Sequence, residues 1–135
     1  MNTKPVLSLS DVQVMLAAAE KHALENKWPV TIAIVDDGGH MLGLVRLDGA
    51  APISAQIAVA KAHTAAVGRR ESGSFEKVIN DGRTAFLSAP GIAGMLEGGV
   101  PIVVDGQFIG AVGVSGVKSN EDAEIARTGI AALKQ

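Results

Sequence analysis

Asp105-Gly106, followed by Gln107, stands between the apolar runs Val100-Pro101-Ile102-Val103-Val104 and Phe108-Ile109-Gly110-Ala111-Val112-Gly113-Val114. Asp-Gly in that setting predicts a two-residue β-hairpin turn, because both central positions need positive φ. The feature constrains the fold strongly: it forces antiparallel pairing of the two runs. The second run also places Gly110, Gly113 and Gly116 at every third position. Glycine inside a strand weakens it, so this spacing predicts that something approaches the backbone closely. A packed helix, a neighbouring subunit and a ligand all satisfy that requirement.

An earlier segment, Ile34-Val35-Asp36-Asp37-Gly38-Gly39-His40-Met41-Leu42-Gly43, mirrors the first with a longer turn. It predicts a hairpin over 30–47, with Asp36 to Gly39 as the turn. Before it, Val12, Met15, Leu16, Ala19 and Ala23 recur on one helical stripe, predicting a helix from Ser10 to Asn26 capped by Ser10 with Gln13. Pro52 suits the first turn of an alanine-dense helix running to Val67. A short helix is expected within Arg69–Asn80, and Ala85-Phe86-Leu87-Ser88 is read as a fifth strand. A last helix begins at Ser119, with Asp122 as its capping partner and Ile125, Ile130 and Leu133 turned inward. Two hairpins between helices give an α/β (α+β) fold, an antiparallel sheet with helices on its faces.

At 135 residues the chain reads as one domain, 1–135, able to bury one core. Charged residues make only 19% of it, below the roughly 25% usual for soluble domains, which predicts apolar surface buried between subunits. No apolar run approaches the ~20 residues of a membrane span, and the N-terminus lacks an apolar signal region, so the expected location is cytoplasmic. Absence of cysteine removes disulfides, thiolate metal sites and cysteine nucleophiles. A net charge of −2, with Arg69-Arg70 as the one basic cluster, argues against nucleic acid as a partner.

Familiar catalytic signatures fail by inspection. Gly113-Val114-Ser115-Gly116 does not make a nucleophile elbow, and the glycines fit neither a dinucleotide fingerprint nor a P-loop. No histidine pair sits at i, i+4. The chain reads as a binding module more readily than as an enzyme.

The ordered motifs Val35-Asp36-Asp37-Gly38-Gly39-His40, Arg46-Leu47-Asp48-Gly49-Ala50, Lys61-Ala62-His63-Thr64-Ala65, Gly98 to Gly116 and a closing acidic helix carry a resemblance. From about Val12 to Leu133 the chain resembles the GlcG/HbpS-like family of small heme-binding-like domains, whose relatives include the C-terminal domain of PduO proteins. The resemblance implies a profilin-like three-layer α/β/α fold with five antiparallel strands, and heme or a related tetrapyrrole as the cofactor.

Imidazole nitrogens make good axial ligands for heme iron. His40 ranks first as metal ligand, because Gly38-Gly39 leave room beside its ring; His22 and then His63 follow, and Met41 is expected on the opposite strand face. Arg46 and Lys61 are the candidate anchors for propionates or for the carboxylate of a small organic acid. Their plain alternatives are an Arg46–Asp48 surface pair and a solvated Lys61. Ser115 and Gly113 complete the candidate cofactor site, while Asp36 and Asp105 are expected to bond turn amides. The acidic start of the last helix, Glu121, Asp122 and Glu124, is explained by the helix dipole. Three functions remain: a tetrapyrrole-binding module, an accessory protein or small enzyme acting on a small organic acid, and a structural homo-oligomerising subunit with an even number of copies.

Overall fold

The computed structural model describes residues 1–134. The described residues form four α-helices: α1 (Leu9–Glu25), α2 (Ile53–Gly68), α3 (Ser72–Asn80) and α4 (Ser119–Ala131). Four strands, β1 (Thr31–Asp36), β2 (Met41–Arg46), β3 (Gly99–Val104) and β4 (Gln107–Ser115), form one sheet in the order β2-β1-β4-β3. Every pairing is antiparallel; the two turn signals require this of β1–β2 and β3–β4, and β1–β4 pairs the same way between the hairpins. The two hairpins join through their inner strands, β1 and β4, with Ala33 opposite Gly113. Asp105 at φ 50° and Gly106 at φ 74° supply the left-handed pair of the second turn. Asp105 thus serves by its backbone conformation and not, as expected, by bonding an amide.

Strand β1 is central and buried on both faces from Thr31 to Val35. Ile32 and Ile34 join Met15, Val112, Val114 and Ile125 in a core beneath α1 and α4. Ala33, Val35 and Ala111 point the other way, onto Ala58, Ala62, Ala65 and Ala66 of α2. The three layers are therefore α1/α4, sheet, and α2. Small side chains let α2 lie almost on the sheet. A Cβ added at Gly113 would stand 2.5 Å from Ala62 N and closer still to the Ala58 carbonyl oxygen. The packed helix is what approaches this glycine.

The expected fifth strand does not form. Thr84–Ser88 is a 3-10 turn, in which Ala85 and Leu87 face solvent. Phe86 leaves the sheet to pack on Phe75 of α3, with ring centroids 5.3 Å apart. The outer edge at β3 also carries Pro101, which lacks the N–H a further strand would use.

Two caps also differ from expectation. Helix α1 is capped two residues earlier by Ser8, whose Oγ accepts from Asp11 N–H (3.1 Å) while Asp11 accepts from Ser8 N–H (2.8 Å). The charged Asp11 carboxylate makes a stronger acceptor than the Gln13 amide. At α4, Glu121 accepts from the Lys118 N–H, because Asp122 is drawn into the interior. Among the described residues no helix is long and apolar enough to cross a membrane.

Candidate functional site

The Asp36–His40 turn closes the β1–β2 hairpin through one carboxylate. Asp36 Oδ1 accepts from the N–H groups of both Gly38 and His40, each at 2.9 Å. The charge-assisted bonds fix the backbone that carries His40. The His40 ring lies over Gly38: a Cβ there would sit 3.1 Å from its Cδ2 and 3.2 Å from Nε2. His40 is exposed and engages the protein through its backbone, its N–H donating to Asp36 Oδ1 and its carbonyl oxygen accepting from Asp36 N–H at 2.8 Å.

The next glycine of the turn, Gly39, forms one wall of a cavity of about 750 Å³. Ala55, Val59 and Ala60 of α2 make its floor, and Gly91, Ile92 and Ala93 its far side. This volume falls in the range of pockets that hold cofactor-sized ligands, and its lining is mostly aliphatic. Beyond it, β2 is an exposed apolar strand. Met41, Leu44 and Arg46 pair with Val35, Ala33 and Thr31 and share the sheet face that α2 covers on β1. Met41 is 46% exposed and Leu44 42%. A register shift between Ile34 and Val35 lets Met41 and Leu44, three residues apart, share that face.

Two cations stand beside the same turn. Arg69, the left-handed C-cap of α2 (φ 56°), donates to the Asp37 carbonyl oxygen at 2.7 Å and to Ala66 O at 2.9 Å. Lys4 pairs with the Asp37 carboxylate. The Lys4 hydrogen bond holds that carboxyl below the usual carboxylate range. Sequence reasoning missed both residues; the left-handed cap that turns Arg69 back toward β1 has no signature at Arg69 itself.

The other candidates lie elsewhere. His22 Nε2 meets Glu124 Oε2 at 2.7 Å, an α1–α4 clasp, with the ring edge-on to Trp28 at 5.9 Å. It lies near the start of β1 and His40 follows its end, so about 20 Å of strand separates them. Arg46 donates to Ala50 O at 3.2 Å and not to Asp48, and is a similar distance along β2 from His40. Lys61 is neither solvated nor open to an anion. It is 3% exposed, and its Nζ donates to Val114 O (2.9 Å) and Asp122 Oδ2 (3.1 Å). Asp122 also accepts from Val117 N–H (3.1 Å). Burial pushes the Asp122 carboxyl above its ordinary range, with Lys61 pulling the other way. Ser115 is buried at the end of β4, and Gly113 is covered by α2. His63, ranked last, is the histidine that lines the cavity.

The chain is thus a small three-layer α+β protein with a hairpin-borne histidine beside an apolar cavity. The chain belongs to the family described as "Haem degrading protein HbpS-like", which matches residues 7–131. It is 55% identical over 115 residues to Protein GlcG of Escherichia coli, covering 85% of each chain. It is 31% identical to the corrinoid adenosyltransferase PduO of Salmonella typhimurium over 97% of this chain and 40% of that protein. Among solved structures, a double mutant of Streptomyces reticuli HbpS superposes with a TM-score of 0.89 at 29% identity, covering 100% of this chain and 92% of that one. A crystal structure of a PduOC:heme complex gives a TM-score of 0.88 at 29% identity, covering 96% of both chains.

Proposed function

We propose that this protein binds heme or a related tetrapyrrole, with His40 as the axial ligand. The observation that carries the reading is the position of His40: an exposed imidazole on a rigid turn that walls an apolar cavity. The other two rings are already engaged, His22 by Glu124 and His63 by two backbone carbonyl oxygens. The heme-complexed relative supports the same ligand class. Arg69 and Lys4, next to the turn, are the cations suited to the propionates; Arg46 is too far along β2, and Lys61 is sealed inside. The alternative of a small organic acid held by Arg46 and Lys61 has no assembled site in this geometry. The exposed Met41, Leu42 and Leu44 further support a homo-oligomer in which a second copy covers β2.

Titration with hemin tests the assignment. Wild-type protein is expected to give a saturable Soret change that His40→Ala shifts or removes, with circular dichroism unchanged. Arg69→Gln is expected to weaken hemin by about 1.5–3 kcal/mol, the worth of a charge-assisted hydrogen bond, and Arg46→Gln to leave affinity unaltered. A Soret change that survives His40→Ala and disappears in His22→Ala reassigns the ligand. No saturable change in the wild type removes the heme reading altogether.

A further inference from the structure

His63 meets two acceptors at once. Its Nδ1 lies 3.3 Å from Gly39 O and its Nε2 3.0 Å from Gly91 O. A backbone carbonyl oxygen only accepts, and a neutral imidazole carries a single N–H. One of the two contacts in the neutral ring is therefore lone pair against lone pair, whereas the imidazolium donates to both. We propose that His63 is a positioning residue that docks the His40-bearing turn onto α2 and the 91–93 segment in a proton-dependent way.

The surroundings leave His63 as the group that responds. On the β1–β2 turn, Asp36 is held by the Gly38 and His40 amides, and Asp37 by Lys4; the His40 ring lies on the Gly38 side. On α2, Lys61 turns inward to Asp122 and Arg69 turns to Asp37 O and Ala66 O. From Thr84 to Leu96 no residue carries a charge. The ring is seated tightly: a Cβ at Gly39 would lie 2.9 Å from His63 Cε1 and closer to Nδ1. Movement of the ring is thus felt by the turn. The neighbouring Thr64 hydroxyl, which donates to Ala93 O at 3.0 Å, keeps the 91–93 segment anchored to α2 whatever the charge of His63. On deprotonation the remaining N–H stays with the shorter Gly91 contact, and the Gly39 contact is given up. The Gly38–Gly39 turn is then freed on the cavity side, while β1–β2 pairing holds it on the other. The inference does not require that hemin be the ligand.

The test is a ¹⁵N–¹H titration of the apo protein in the His40→Ala background, which removes the other histidine near the turn. Between pH 5 and 8, where histidine charge changes, the Gly38 and Gly39 amides are expected to shift together with a single midpoint. That midpoint should coincide with the one followed on the His63 Cε1 proton. Amide exchange at Gly39 should slow as pH falls, after correction for the intrinsic exchange rate. His63→Gln, which keeps one donor and cannot titrate, is expected to abolish the pH dependence and leave the fold intact by circular dichroism. Amides at Gly38 and Gly39 that do not move with pH overturn the proposal. So does an unchanged titration in His63→Gln, which would assign the effect to Asp36 or to a distant group.

Discussion

At the scale of single residues, the largest departure from the linear reading is Lys61. In sequence it is a lysine on a helix, for which the plain expectation is a solvated ammonium. In the fold it lies within α2 where the helix crosses β4, and the Val114 carbonyl and Asp122 carboxylate receive it. Breaking a buried pair from one side leaves an uncompensated charge, which typically costs about 3–5 kcal/mol. Lys61→Met is therefore expected to lose about that much stability in urea titrations at pH 7. The pH dependence has a definite sign. Burial already raises the folded Asp122 carboxyl above its unfolded value, and without Lys61 its pull is gone. A raised carboxyl contributes stability that is fully present below the unfolded pKa of about 3.9 and lost as pH rises through the folded value. The deficit of Lys61→Met should accordingly shrink as pH falls toward 4. Removing both partners in Lys61→Met/Asp122→Leu should cost less than the single change; if it costs the sum of the two singles, the pair is not coupled.

At the scale of elements, the glycine period of β4 was legible as a demand for close approach, but its cause was not. Gly113 faces the α2 backbone at Ala58 and Ala62, with no side chain larger than the Ala62 methyl at the contact. Neither a strand in mid-sheet nor a helical backbone can move away locally. Gly113→Ala is expected to destabilise by about 3 kcal/mol, the upper end of ordinary overpacking costs, read from the urea midpoint. Gly106→Ala probes a different cause, since nothing lies within 4 Å of a Cβ there and only its φ of 74° objects. Its expected loss is smaller, about 1 kcal/mol. Equal losses at the two positions would mean that α2 yields to the added methyl. Helix α1 shows how far pattern alone reaches. Val12, Met15, Ala19 and Ala23 are buried as their spacing predicts, but the cap lies at Ser8 because Asp11 can reach back to it. The 84–88 segment shows where pattern stops: four residues of strand-like composition had no sheet edge better than the Phe75 ring.

At the scale of the whole molecule, a chain with 19% charged residues leaves Met41, Leu42, Leu44, Ile53 and Val103 exposed. One sheet edge, β3, is protected by Pro101, while the other, β2, has an unpaired backbone and apolar side chains. Edges of that kind are usually covered. Sedimentation at micromolar concentration is expected to show an even multiple of the 13.8 kDa chain, and Leu44→Lys to shift it toward the monomer. A wild-type species of 13.8 kDa alone would refute this. What the sequence determined by itself was local: two antiparallel hairpins, the helical stripes and the turn role of Asp36, each set by φ preferences, periodicity or bonds spanning a few residues. The motif order likewise carried the family without help from the fold. Tertiary structure decided the rest. The order β2-β1-β4-β3, the burial of Lys61 by a residue 61 positions away, and the gathering of Lys4, Arg69 and His40 at one turn all join distant segments. Such pairings depend on which faces meet in three dimensions, and a side chain's neighbours across a sheet leave no trace in its own stretch of sequence.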